Sequence, residues 1–330
     1  MQPGIGIHHL LDTMKKTKHL VPAVLLIVTS SLLALSSSPL TIENSDPLKT
    51  QLITTDIDNF WEAFEASKPN YDPQPFKDIY LKKGSKGLKG FTKNRIRSAD
   101  HLSKIVSKNA KYYNSIKPST LQVASMKNEI IRSLVKLKEI YPKATFPPVY
   151  FVVGALNSGG TATSKGLIIG VDMYGLTDDT PKEELSDWLK TVLKPIEELP
   201  YIVAHEIIHF QQKYDGGNLL KRSIKEGSAD FIGELISGSH INKHVHEFAD
   251  EREAELWKEF QSKMLAKDTQ GWLYSSQEGR PNDLGYWIGY KITKAYYDNQ
   301  TDKKKAIDEI MHIKDFQWFL KKSHYADQFK

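Results

Sequence analysis

The chain has 330 residues, 40% apolar and 26% charged, enough to bury a full core in one or two domains. Its formal net charge of +5 is mild, and its lysines read as scattered rather than blocked, which argues against a nucleic-acid partner. Cysteine is absent, so disulfides, a thiol nucleophile and lipid attachment through an N-terminal cysteine are excluded.

Residues 14–36 read MKKTKHLVPAVLLIVTSSLLALS. Lys15, Lys16 and Lys18 precede an apolar run over 20–35, and Ala34, Leu35 and Ser36 offer small residues for cleavage after Ser36. Residues 1–36 are therefore expected to be a signal peptide, with 1–13 a candidate start-site extension before Met14. Export to the periplasm or the cell exterior follows. An uncleaved segment would give the chain its expected membrane contact.

A polar linker is expected over 37–49, then a helical region over 50–145. Residues 54–67 (TTDIDNFWEAFEAS) carry an apolar stripe of Ile57, Phe60, Trp61 and Phe64 at helical spacing, with Thr55 or Asp56 as cap. After Pro69, Pro73 and Pro75, residues 76–81 begin a short helix that the glycines of KKGSKGLKG should end. Residues 91–116 look mostly helical, and 121–141 form an amphipathic helix stopped by Pro142. At Phe146 the character changes. VYFVV (149–153) and TATSKGLIIGVDMY (161–174) read as strands, expected to form a small antiparallel sheet. An exposed strand edge there could pair with an extended peptide.

A polar helix is expected over 181–194 and another over about 197–214. The second contains HEIIH: His205 and His209 lie four apart on one face, with Glu206 beside them and Ile207 and Ile208 turned to a core. Two imidazoles so placed can share one zinc ion, with Glu206 as the base for a water at that ion. Past the turn at Asp215, Gly216 and Gly217, Glu226 is the candidate third ligand. Asp230, one turn beyond it, can accept a hydrogen bond from a ligand imidazole. An amphipathic helix with two surface histidines and a salt-bridging glutamate is the competing expectation.

His240, His244 and His246 invite a second metal site, against a solvated helix surface or loop without ligation. In RPNDLGYWIGY (280–290), Gly285 and Gly289 would let a helix approach a neighbour closely. Tyr286 is the first candidate donor to the oxyanion of an attacked amide, with Tyr290 and Arg280 behind it.

The motifs DIDNFWEAFE, GSKGL, HEIIHFQQ, EGSADFIGEL and GYWIGYKI, spread over about residues 50–325, resemble a bacterial family of predicted zinc-dependent proteases. That family is related to the gliding-motility lipoprotein B proteins, and its HExxH and downstream glutamate resemble those of the thermolysin-like, glutamate-type zincins. The resemblance implies a mainly helical α+β, zincin-like metallopeptidase. Its catalytic region would span 146–330, packed with 50–145 as one unit. It implies one zinc ion on His205, His209 and Glu226, with Glu206 as base and a peptide or protein as substrate. A non-enzymatic envelope component related to the gliding-motility lipoproteins, and a zinc hydrolase of a non-peptide amide, are the alternatives.

Overall fold

The computed structural model describes residues 44–274 and 279–330, which fall within one compact unit, Glu43–Lys330. The signal segment expected over 1–36 lies outside the described residues. The end of the expected linker is not free chain: the Phe146 N–H donates to the Asn44 carbonyl at 2.7 Å, and Pro47–Lys49 form a 3₁₀ turn.

In chain order, β1 (Leu52–Ile53) precedes α1 (Thr55–Ser67), a single turn α2 (Pro73–Pro75) and a π-helical run, Phe76–Leu81. Then come α3 (Lys86–Phe91), a second π-helical run Thr92–Ile96, α4 (Ala99–Lys108), α5 (Ala110–Leu121) and α6 (Lys127–Ile140). The strands β2 (Val149–Val152), β3 (Gly160–Thr163) and β4 (Gly166–Gly170) follow, then α7 (Asp187–Val192), α8 (Leu199–Gln211), α9 (Leu219–Ser237) and α10 (Lys243–Ala249). The chain closes with α11 (Glu253–Lys263), α12 (Leu284–Asp298), α13 (Lys303–Met311) and α14 (Phe316–Ser323). The architecture is mainly helical α+β. No helix among the described residues is long and apolar enough to cross a membrane.

The sheet corrects the antiparallel expectation. Its order is β1-β2-β4-β3, with β1–β2 and β2–β4 parallel and only β3–β4 antiparallel. The chain leaves β1, runs through six helices and returns to lay β2 in the same direction. Central parallel strands are covered on both faces, which is why VYFVV and LII are continuously apolar rather than alternating. Tyr150 and Ile168 are register partners and face α3; a side chain at Gly87 would run into the Tyr150 ring. Phe151 and Ile169 face the other way, towards α8, and Gly160 pairs with Ile169 on that same side.

Several boundaries differ from expectation for local reasons. The helical run Phe76–Leu81 does end just before Gly84, as expected, but Gly87 and Gly90 lie within a new helix, α3, which Ser85 caps by accepting from the Leu88 N–H at 3.1 Å. Asp56 does not cap α1; it is buried and accepts from the Ser85 N–H at 3.0 Å. The helix expected over 121–141 breaks into a 3₁₀ turn, Gln122–Met126, before α6. The one expected over 181–194 shrinks to α7. Asp172 is fully buried after β4, where its carboxylate accepts the N–H groups of Gly154 at 2.7 Å and Leu156 at 2.8 Å, fixing the chain that leaves β2.

Candidate metal centre and its cleft

Helix α8 is apolar around nearly its whole circumference because the sheet covers one side and α9 the other. Gly233 of α9 approaches the His205 backbone, while Glu226 meets His209 one level along, so α8 and α9 lie antiparallel. A third helix locks this pair. Gly227 of α9 and Gly289 of α12 meet backbone to backbone, and a methyl at either would collide with the other helix. This is the close approach that the glycine pair of 285 and 289 anticipates.

The antiparallel pairing brings His205, His209 and Glu226 together, their ligating atoms all within 4.8 Å of one another. Glu226 Oε2 lies 2.9 Å from His209 Nε2 and 3.7 Å from His205 Nε2. Atoms bound at about 2.0–2.1 Å to one tetrahedral ion stand about 3.3 Å apart, so the two separations bracket what such an ion requires. The opposite ring nitrogens are committed. His205 Nδ1 donates to Asp230 Oδ1 at 2.7 Å and His209 Nδ1 to Gln212 Oε1 at 2.8 Å. Both acceptors fix the tautomer that turns Nε2 towards Glu226. Gln212 is oriented in turn, its Nε2 donating to the Lys225 carbonyl at 2.8 Å and Ser228 Oγ at 2.9 Å. Asp230 takes a second bond from Asn242 Nδ2 at 2.7 Å.

Burial opposes a charged His205, but the Asp230 and Glu226 carboxylates override it and push its pKa up to about 10. Glu226 is held well below the usual carboxylate range: burial raises it, and the facing imidazoles more than compensate. The same atoms that share protons in these contacts are those that would ligate a cation. Two imidazoles and one carboxylate, with oriented outer partners, form a donor set that suits zinc.

The Glu206 carboxylate makes no hydrogen bond among the described residues, and burial raises its pKa. It rests against β3, where a Cβ at Gly160 would lie 2.5 Å from its Oε1. Tyr286 stacks on His205 with ring centroids 6.0 Å apart, and burial keeps its hydroxyl protonated. The other two oxyanion candidates point elsewhere. Tyr290 donates to Glu234 at 2.6 Å, and Arg280 pairs with Glu259 at 2.9 Å while stacking on Trp272; neither lines the cleft. Tyr274, which the sequence did not single out, donates to Glu226 Oε1 at 2.8 Å.

His240 and His246 pack ring against ring, centroids 4.1 Å apart, over Tyr290. Both are half-buried with Nε2 shielded, whereas His244 is exposed on α10, and the three form no second three-ligand group among the described residues. His240 Nδ1 accepts the Asn242 N–H at 2.9 Å, which leaves that nitrogen no lone pair for a metal. Burial lowers the pKa of His246 to about 4.

The triad opens into a cleft of about 550 Å³, lined on one side by Gly160, Thr161 and Ala162 of β3 and on the other by Tyr274, Tyr286 and Lys225. The outer edge of β3 pairs with no strand among the described residues.

No curated protein and no solved structure matches the chain. Residues 41–327 match the family model described as gliding motility protein GldB, and the chain belongs to that family.

Proposed function

We propose that this protein binds one divalent cation, zinc by its donor set, through His205, His209 and Glu226, and uses the cleft to hydrolyse peptide bonds at the cell envelope. The observation that carries the proposal is Glu206: a buried carboxylate beside the triad, with raised proton affinity and no hydrogen bond among the described residues to occupy it. The bound cation would supply Lewis acidity, polarising a carbonyl and making water a better nucleophile. Glu206 takes the proton from the attacking water and returns it to the leaving nitrogen. The Tyr286 hydroxyl is the donor for the developing oxyanion. The open β3 edge supports an extended peptide as substrate, because its backbone groups can pair with a peptide backbone across the cleft. A non-peptide amide would use the same groups without needing the strand edge.

Family membership favours a second reading, a motility-associated envelope component that binds a partner without cleaving it. On that reading the cation would only brace the cleft. Metal content and turnover separate the two. The protein should carry about one zinc per chain. Glu206→Gln should keep that metal yet lose nearly all peptide hydrolysis. Wild-type protein that holds zinc but cleaves no member of a peptide library supports the binding role. Full activity in Glu206→Gln refutes the mechanism.

A further inference from the structure

Residues 81–97 read LKKGSKGLKGFTKNRIR, with five lysines, two arginines and no carboxylate. All seven cationic side chains are exposed, and none is within ion-pair distance of an acid among the described residues. The scattered lysines of the linear sequence therefore include one concentrated basic surface without a salt bridge among the described residues, Lys89 being near enough to the buried Asp56 to favour its charged form. This surface is not remote from the site. Arg95 forms part of the cleft wall, together with Gly160, Thr161 and Ala162 of β3.

The backbone that presents Arg95 is fixed. It lies in the π-helical run Thr92–Ile96, a geometry found disproportionately at functional sites. Asn157 Nδ2 donates to the Arg95 carbonyl at 3.0 Å, tying the run to the loop that leads into β3. On the opposite wall the cation is neutralised, since Lys225 pairs with Asp215 at 2.7 Å. The positive excess thus belongs to the β3 side alone.

We infer that the cleft takes an extended acidic polypeptide, laid along the β3 edge with its carboxylates running over Arg95 and onto the basic surface of residues 81–97. The inference deepens the proposed function and rests on the cleft being the substrate- or partner-binding site. The chemistry of the surface selects this occupant. An inserting bilayer contact needs apolar side chains, but Leu88, Phe91 and Ile96 are turned inward and buried, and a purely electrostatic contact with anionic lipid would leave the adjoining strand edge unused. A single-stranded nucleic acid needs exposed aromatic rings for stacking, and Phe91, the one aromatic residue of the segment, is buried. What remains is Arg95 at the cleft wall beside the open strand edge, with exposed flexible cations continuing from it through residues 82–97, which matches backbone pairing combined with side-chain carboxylates.

The test uses the mature chain carrying Glu206→Gln, so that binding is read without turnover. The probe is a fluorescein-labelled peptide of alternating glutamate and alanine, compared by anisotropy with a glutamine-for-glutamate twin. The acidic peptide should bind about tenfold tighter and weaken as salt rises from about 20 to about 300 mM. Arg95→Glu combined with Arg97→Glu should abolish the preference, and Lys82→Glu with Lys83→Glu should reduce it. These residues are exposed, and unchanged melting temperatures confirm that the variants fold. The preference should survive chelation of the metal, because the basic surface does not depend on the ion.

Equal binding of the two peptides overturns the inference, as does an Arg95→Glu/Arg97→Glu variant that keeps the preference. So does binding of phosphatidylglycerol vesicles through these residues with no acidic-peptide binding, which makes the surface a lipid contact. Failure of the hydrolase reading stays distinguishable. Wild-type protein that cleaves nothing while the acidic preference holds removes that reading and supports this one. Equal cleavage of acidic and neutral peptides does the reverse.

Discussion

Replacing Gly160 with alanine tests the geometry around Glu206 without touching any ligand of the candidate metal centre. The backbone at 160 is ordinary strand, so alanine introduces no dihedral strain. The new methyl would lie 2.5 Å from Glu206 Oε1 and 2.9 Å from its Cδ and Cγ. Carbon atoms in contact prefer about 3.5 Å or more, so the carboxyl group must retreat by roughly 0.6–1 Å. A displacement near 1 Å of a group that moves a proton costs about 100-fold in rate, or about 2.7 kcal/mol of activation free energy. Gly160→Ala should therefore lose about two orders of magnitude in kcat/KM on a fluorogenic peptide while keeping its zinc and its fold. The assay pairs steady-state kinetics with metal analysis by mass spectrometry and a thermal melt. A variant with full metal content and wild-type turnover would refute both the position assigned to Glu206 and its role.

Further outcomes probe the surroundings. Tyr274→Phe removes the hydroxyl that donates to Glu226 Oε1, and Asn242→Ala frees Asp230 Oδ2; each should weaken zinc affinity by about tenfold in a competition titration, and unchanged affinity would remove them from the site's support. Gly289→Ala forces a methyl into the Ser223 carbonyl and should destabilise the fold by about 3 kcal/mol in urea, with a smaller loss counting against the tight α9–α12 contact. Burial raises the Asp172 pKa to about 6, above its unfolded value near 3.8, so the folded state binds this proton more tightly. That stability is complete below about pH 4 and lost as pH rises through 6. Between pH 4 and 7 the wild type should lose about 2 kcal/mol relative to Asp172→Asn, and a pH-independent difference would refute the assignment.

The centre was legible in the sequence to the extent that its geometry is local. His205, Glu206 and His209 are set by helical spacing, and one antiparallel reversal brings Glu226 and Asp230 to them. Asn242 and Tyr274 carried no comparable signal, because each reaches the site through tertiary packing; Gln212, three residues past His209 at the end of α8, was within reach of the same helical spacing and was missed. Tyr290 sits one helical turn beyond Tyr286 and stood behind it as an alternative, and only Tyr286 lies over His205. The sheet was partly hidden for a related reason. A two-residue strand has no periodicity to detect, and without β1 the long return that makes β1 and β2 parallel cannot be seen. The glycine-rich stretch 84–90 read as a stop, which holds at Gly84; what the sequence hid is that the chain re-enters a helix at once, where Gly87 admits the Tyr150 ring.

The backbone-to-backbone seam between α9 and α12 has a consequence for how the molecule can change its clientele. With Gly227 and Gly289 in direct contact and α8 clasped by α9, the jaw bearing the ion's ligands has no slack: a shift of any one helix would drive main chain into main chain. The opposing jaw is a hairpin attached to the sheet through β4 alone, and its tip at Ser164 and Lys165 is free to vary in length and composition. Divergence in what this protein grips should therefore accumulate in that hairpin and in the basic run behind it, while the helical jaw stays fixed.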